Sequence, residues 1–216
     1  MGHILFAFMA DVKSSRRAKS NATRARILDA AEEEFAANGY HGATIASIAR
    51  RARVATQTVY FVFHTKAELI SAAIDRQVLG TDDPAEPQQR DWWVAMNDEP
   101  DARAALKVFI RGAAPLFQRA SALSEILRGA ALTDADLRKT HEHHEQLRER
   151  GFREVVEMLA AKGRLGNGLD VDTATDVLLV EFSDASYVQF TGERGWSHDQ
   201  TVEYYCDSLP LLLLGP

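Results

Sequence analysis

The 216-residue sequence contains a single cysteine, Cys206, and no apolar run near the roughly 18 residues that a membrane-spanning helix needs. One cysteine cannot form an intramolecular disulfide, which excludes a disulfide-stabilised secreted fold. The apolar stretch at residues 1–12 comes before the first basic cluster, whereas a secretory signal has its basic residues first. These absences predict a soluble cytoplasmic protein with no membrane partner. Because residues 1–12 lack a signal pattern, Met9 is an alternative start of the chain.

Motifs of enzyme chemistry are also scarce. The sequence shows no serine elbow, no Cys-His pair and no paired-carboxylate pattern. The three glycines within residues 163–168 follow no predicted strand, so they indicate a helix-to-helix turn rather than a phosphate loop. His141, His143 and His144 have helical spacings compatible with metal ligation, but charged neighbours favour a solvated helix face. We therefore predict no enzyme, cofactor or metal site, with a metal-dependent helical enzyme as the less favoured alternative.

Charged residues are abundant, and their sign changes along the chain. The formal net charge is −6, yet residues 1–80 carry 11 Lys and Arg against 7 Asp and Glu, while the other 136 residues carry 14 against 24. Basic side chains cluster in residues 12–26 with no acid among them. Such an arm suits phosphates, because each neutralised phosphate releases counterions. A solvated leader remains the alternative.

Helical periodicity fills the N-terminal third of the chain. Apolar residues recur at helical spacing from Thr23 to Asn38, and Gly39 then supplies a stop. Thr44 stands where a second helix would have its N-cap, and a third helix is expected at about 56–61. A fourth helix follows the N-cap candidate Thr65. This outline is typical of a helix-turn-helix that reads the DNA major groove, although any small helical bundle shares it.

The stretch from Thr44 to Leu69, TIASIARRARVATQTVYFVFHTKAEL, resembles the DNA-binding domain of the tetracycline-repressor (TetR) family. The match covers residues 23–76 and includes Gly39-Tyr40, the Thr-Ile-x-x-Ile-Ala core and the Thr-Val-Tyr…Phe-x-x-Lys-x-x-Leu end. The sequence departs from the family at Val62, where a second aromatic is frequent, so His64 or the basic arm with Arg24 is the expected substitute. The resemblance implies that Thr56, Gln57 and Thr58 read the bases. It also implies that Thr44, Tyr60 and Lys66 contact the DNA backbone.

The acidic remainder of the chain is also predicted to be helical. Residues 81–100 are rich in proline and acids, which indicates a linker that carries Trp92 and Trp93. Pro115 is expected to kink its helix, and Pro210 to bend or end the last one. Helices are expected at about 102–119, 121–131, 134–161, 171–190 and 199–213. Candidates for lining a ligand pocket, chosen by apolar character and helix placement, are Trp92, Trp93, Phe109, Phe117, Phe152 and Tyr187.

The predicted fold is therefore all-α. We expect a flexible extension at 1–20, a three-helix helix-turn-helix DNA-binding domain at 21–66, and a larger effector-binding and dimerisation domain at 67–216. The resemblance implies a homodimer through the last two helices and a repressor that a small-molecule effector releases from a palindromic operator in double-stranded DNA. An effector-independent DNA-binding dimer, or a regulator controlled by a partner, is the alternative.

Overall fold

The computed structural model describes residues 2–80, 85–166 and 168–216, with side chains from Lys19 onward. Within these residues every regular element is helical and no strand occurs, which confirms the all-α prediction. Met1, the linker segment 81–84 and Asn167 of the glycine run lie outside the described residues. The chain divides into two compact units, Met1–Ala73 and Ile74–Pro216.

The first unit contains the helices that were expected to bind DNA. It comprises α1 (Gly2–Gly42), α2 (Ile45–Ala52), α3 (Thr56–Phe63) and the first half of α4 (Lys66–Leu79). The backbone of residues 2–20 is helical and continues α1, where the sequence predicts a flexible extension. Gly39 leaves the helical region at φ 65°, so the predicted break is confirmed. The core of this unit buries Ile27, Phe35, Ile48, Val59, Phe63 and Leu69.

The second unit is organised around its longest helix. That helix, α6 (Ala102–Ala131), packs against four others in the unit, which are α5 (Asp91–Asp98), α7 (Ala135–Lys162), α9 (Asp184–Val188) and α10 (His198–Leu214). The remaining helix, α8 (Val171–Glu181), packs against α7 and α10. A 3-10 turn at Pro87–Gln89 precedes α5, and a π-helical turn at Gln189–Glu193 follows α9.

Pro115, which was expected to kink its helix, and Pro210, which was expected to bend or end the last one, both lie inside continuous helices. The sequence predicts two helices at 102–119 and 121–131, but α6 runs through Pro115 without a break. Ala114 and Phe117 on either side of the exposed Pro115 are buried, so core packing compensates for the hydrogen bond that proline cannot donate. Likewise α10 continues past the buried Pro210 to Leu214.

Two other boundaries also differ from the prediction. Trp92 and Trp93 lie in the helix α5 rather than in a loop. The single helix predicted at 171–190 is interrupted at Phe182, and Ser183 caps the start of α9 through a reciprocal capping box with Ser186. A serine three residues before another serine is the signal that the apolar pattern concealed.

Candidate nucleic-acid interface and effector cavity

A tight turn joins α2 to α3. Arg53 ends α2 in the left-handed conformation at φ 55°, and its N–H donates to the carbonyl of Arg50 at 3.2 Å. The Val54 N–H donates to the carbonyl of Ala49 at 3.0 Å. These bonds end α2 within its last turn and let α3 begin at Thr56, which gives the short connection that a helix-turn-helix requires.

One face of α3 is buried and the other is exposed. Val59 and Phe63 are 1% and 3% exposed and pack in the core, whereas Gln57 is exposed and Tyr60 is half exposed. Thr56 and Thr58 are partly buried. The helix contains no acidic residue, so its polar face carries no charge that would repel phosphate. The positions predicted to read bases therefore include an exposed polar side chain, and their DNA contact stays a prediction.

Phe61 is the residue on this surface that the sequence reasoning missed. Its side chain is 83% exposed, although large apolar residues are usually buried. It lies four residues after Gln57 and therefore on the same face of α3. That spacing is the signal that identifies it, and an exposed ring there offers an apolar contact for thymine methyl groups.

Thr44 caps α2 as predicted. Its hydroxyl accepts from the Ser47 N–H at 3.0 Å, and the Ser47 hydroxyl accepts from the Thr44 N–H at 3.2 Å. Both residues lie at or near the surface. The N-terminus of α2 is thus ordered and positive in its dipole, the arrangement that favours a phosphate.

Lys66 begins α4, as predicted, and its side chain contacts the backbone between α1 and α2. Its ammonium is partly buried, donates to the carbonyls of Tyr40 and Ala43 at 2.7 and 2.9 Å, and lies 4.2 Å from the centre of the Tyr40 ring. These contacts hold the turn between α1 and α2. In the structure Lys66 positions Thr44 and its helix, and a phosphate contact by Lys66 stays a prediction.

The proposed substitutes for Val62 lie at the surface. The Arg24 guanidinium lies 4.4 Å above the Phe63 ring and is exposed. His64 is exposed at the end of α3, with a positive φ of 34°. Of the basic arm, Lys19 is exposed, and the side chains of residues 13–17 lie outside the described residues.

The second unit encloses a cavity of about 610 Å³. This volume is in the range that accommodates drug-sized ligands. Its walls come from α4, α5, α6, α7 and the start of α9. Among the six aromatic residues predicted to line a pocket, the structure brings five together around it, which are Trp92, Trp93, Phe109, Phe117 and Phe152. The sixth, Tyr187, is buried elsewhere, where its hydroxyl hydrogen-bonds to His198 Nδ1 at 2.9 Å.

The aromatic wall is a network of close ring contacts. The Phe109 ring centre lies 6.1 Å from that of Trp92 and 5.6 Å from that of Phe152, the latter edge-to-face. Trp92 also lies directly over Gly112 of α6, because a Cβ added to Gly112 would come within 2.4 Å of the indole ring. A glycine at this position is what allows the indole to lie flat against α6.

The histidine run lines the same cavity. His141, His143 and His144 all contribute to its wall. Burial lowers the pKa of His144 below 6.5 despite the nearby Asp75 carboxylate, so its ring is neutral at pH 7. Among the residues that the structure describes, no group of three or more His, Cys, Asp or Glu side chains is arranged to hold a metal ion.

No helix among the described residues is long and apolar enough to cross a membrane. Cys206 is fully buried in the core of the second unit, and burial raises the pKa of its thiol.

Comparison with known proteins identifies the first unit. Residues 27–73 match the family model of bacterial regulatory proteins of the TetR family. The HTH-type transcriptional repressor SCO4008 of Streptomyces coelicolor is 36% identical over 75 residues, which are 34% of this chain and 39% of that relative. The HTH-type transcriptional regulator TtgR of Pseudomonas putida is 44% identical over 62 residues, which are 28% of this chain and 30% of TtgR. The sequence similarity thus spans well under half of either relative.

Solved structures resemble the whole chain. NalD, the secondary repressor of the MexAB-OprM multidrug efflux pump in Pseudomonas aeruginosa, superposes with a TM-score of 0.69 and 23% identity, covering 91% of this chain and 98% of NalD. The regulator FadR of Bacillus subtilis, solved with stearoyl-CoA, superposes with a TM-score of 0.64 and 20% identity, covering 88% of this chain and 98% of FadR. At these identities the likeness establishes the fold of both units.

Proposed function

We propose that this protein is a sequence-specific DNA-binding transcriptional regulator of the TetR family that acts in the cytoplasm, because residues 27–73 match the model of that family. The observation that carries this proposal is the exposed, acid-free face of α3 behind the tight α2–α3 turn. Its likeness to named repressors supports repression as the direction of control.

A two-fold homodimer supports reading of a palindromic operator, because two recognition helices then meet two half-sites. The exposed apolar side chains of the last long helices support this arrangement. Val180 of α8 is 70% exposed, and Leu211 and Tyr204 of α10 are 54% and 40% exposed. Because α8 packs against α10, these exposed side chains belong to neighbouring helices.

Small-molecule control rests on the cavity of the second unit. A ligand releases DNA only if it binds the conformation with low DNA affinity more tightly than the one with high affinity. The continuous helix α4 contributes Lys66 to the first unit and the cavity-lining Ile74, Asp75, Val78 and Leu79 to the second. This shared helix supports an effector role for the cavity over an effector-independent regulator.

The DNA-binding proposal is tested with DNA that the protein itself selects from a random-sequence pool. Fluorescence anisotropy at fixed salt then compares wild type with Gln57→Ala and Tyr60→Ala. A base contact contributes about 1–3 kcal/mol, so we expect Gln57→Ala to lose on the order of tenfold or more in affinity. Tyr60 is expected to contact a phosphate, so Tyr60→Ala should weaken binding to all sequences to a similar extent. The control is Gln146→Ala, which makes the same truncation on the exposed face of α7.

Affinities of Gln57→Ala and Tyr60→Ala that equal the control would contradict the assignment of α3.

Dimerisation is tested by light scattering of Leu211→Asp, which we expect to shift the protein towards monomer. The matched control is Leu132→Asp, because Leu132 is 74% exposed outside α8 and α10.

A further inference from the structure

The cavity wall carries more carboxylates than cationic side chains. Among the described residues, six Asp and Glu residues line it against three arginines. His144 does not offset this excess of negative charge at neutral pH, because burial lowers its pKa. A charge excess of this kind does not define a site by itself, so the pairing of each group matters.

Two of the three arginines in the cavity wall already have a glutamate partner. Arg128 binds Glu125 through two nitrogens, at 2.6 to 2.9 Å. Arg148 Nη2 donates to Glu145 at 2.5 Å. Both guanidinium charges are therefore neutralised within their own pairs, and neither is left over for a further carboxylate.

Asp184, the first residue of α9, is one of the four wall carboxylates that these two pairs leave out, with Asp75, Glu86 and Glu154. The residue as a whole is only partly buried, but its carboxyl faces the interior, hydrogen-bonds to Ser124, and forms no ion pair among the described residues. It feels the Arg148 charge, but Glu145 and Glu125 oppose that influence. A buried carboxylate without its own counter-charge gains most from a cation that arrives with a ligand.

Arg148 provides a second and independent sign of a missing ligand. Its Nε lies buried and has no hydrogen-bond partner among the described residues. Buried donors without an acceptor are rare in native proteins. Because Arg148 and Asp184 line the same cavity, a ligand with a cationic donor and a neighbouring acceptor atom would satisfy both.

We propose that the cavity binds an aromatic amine in its protonated form. The rings of the ligand pack among Trp92, Phe109 and Phe152, its ammonium pairs with Asp184, and an acceptor atom beside the ammonium takes the Arg148 Nε–H. This inference rests on the proposed function, since it names the chemical class of the effector. Burial raises the pKa of Asp184 to about 6, so the carboxylate is available as a counter-charge at neutral pH.

The test uses two fluorescent probes that differ in the sign of one end group. Dansylcadaverine ends in an amine, and dansyl-6-aminohexanoic acid carries the same fluorophore on a chain of similar length that ends in a carboxylate. Energy transfer from tryptophan reports binding, because Trp92 and Trp93 lie in the cavity wall. We expect the amine to bind at least tenfold more tightly than the acid at pH 7.5.

Asp184→Asn removes the charge at constant shape and should lower the affinity for the amine about tenfold while leaving that for the acid equal or higher. The matched control is Asp176→Asn, an exposed position on α8 outside the cavity wall, which should change neither affinity. Circular dichroism confirms that both variants are folded.

Preference for the acid, or an amine affinity that Asp184→Asn leaves unchanged, would overturn the charge assignment and leave the effector cavity in place. Failure of both probes to bind would overturn the inference about the chemical class of the ligand, while the effector role would still rest on the cavity and on the shared helix α4. DNA binding, measured separately with the α3 variants, stays independent of either outcome.

Discussion

The buried carboxyl of Asp184 makes the stability of the protein depend on pH in a calculable way. Burial raises its pKa from 3.8 to about 6. The Arg148 guanidinium lowers this pKa, but the carboxylates of Glu145 and Glu125 raise it, so the net rise remains. A raised folded-state pKa means that the folded protein binds this proton more tightly than the unfolded chain. The free energy of unfolding therefore falls as the pH rises above 3.8, and it levels off above pH 6, where Asp184 is ionised in both states.

The shift of about 2 pKa units gives the magnitude. Linkage gives a cost of about 1.6 kcal/mol at pH 5 and at most about 3 kcal/mol at pH 8. Asp184→Asn replaces the carboxyl with a neutral group of the same shape whose oxygen can accept from Ser124. We expect the variant to exceed wild type in free energy of unfolding, by a margin that grows about 1.4 kcal/mol between pH 5 and pH 8.

Chemical denaturation at a series of pH values measures this margin. Other titrating groups cancel, because the comparison is made between two proteins at each pH. The Asp176→Asn control removes a charge from an exposed position and should lack the rising margin. A difference between Asp184→Asn and wild type that stays constant from pH 5 to pH 8 would refute the reasoning.

Three further substitutions test other parts of the structure. Gly112→Ala forces the Trp92 ring out of contact with α6 and should cost about 1–3 kcal/mol of stability and alter tryptophan emission; unchanged emission would contradict the close approach. Thr44→Ala removes the capping box of α2 and should cost about 0.5–2 kcal/mol, whereas an unchanged unfolding midpoint would argue against the cap. Phe61→Ala should leave stability within about 0.5 kcal/mol, because the ring is exposed, but should weaken DNA binding in the anisotropy assay; the reverse pattern would show that the ring serves packing instead.

The start signals in the sequence were accurate where polar side chains cap the helix. Thr44 and Thr65 cap α2 and α4 in the structure at the expected places. A cap is a local interaction within three residues, so the sequence alone contains all of its chemistry. The family resemblance and the periodicity together also located α3 and its buried face.

Interruptions within the second unit were harder to predict, because tertiary packing decides them. Pro115 and Pro210 have strong local preferences against helix interiors, yet the buried neighbours of each keep the helix continuous. Conversely, the apolar run through Phe182 predicts continuity, and the Ser183 capping box ends it. The pocket residues could be chosen by aromatic character, whereas the role of Asp184 depends on which arginines are already paired, and only the fold shows that.

The single thiol at Cys206 makes the protein its own reporter of core opening. The side chain is fully buried in α10 and burial raises its pKa, so a thiol reagent in solution can react only when that part of the core opens. Because the chain has no other cysteine, the rate of modification belongs to this one site. Protection of Cys206 by a bound compound would thus measure, without any label, how strongly that compound holds the second unit closed.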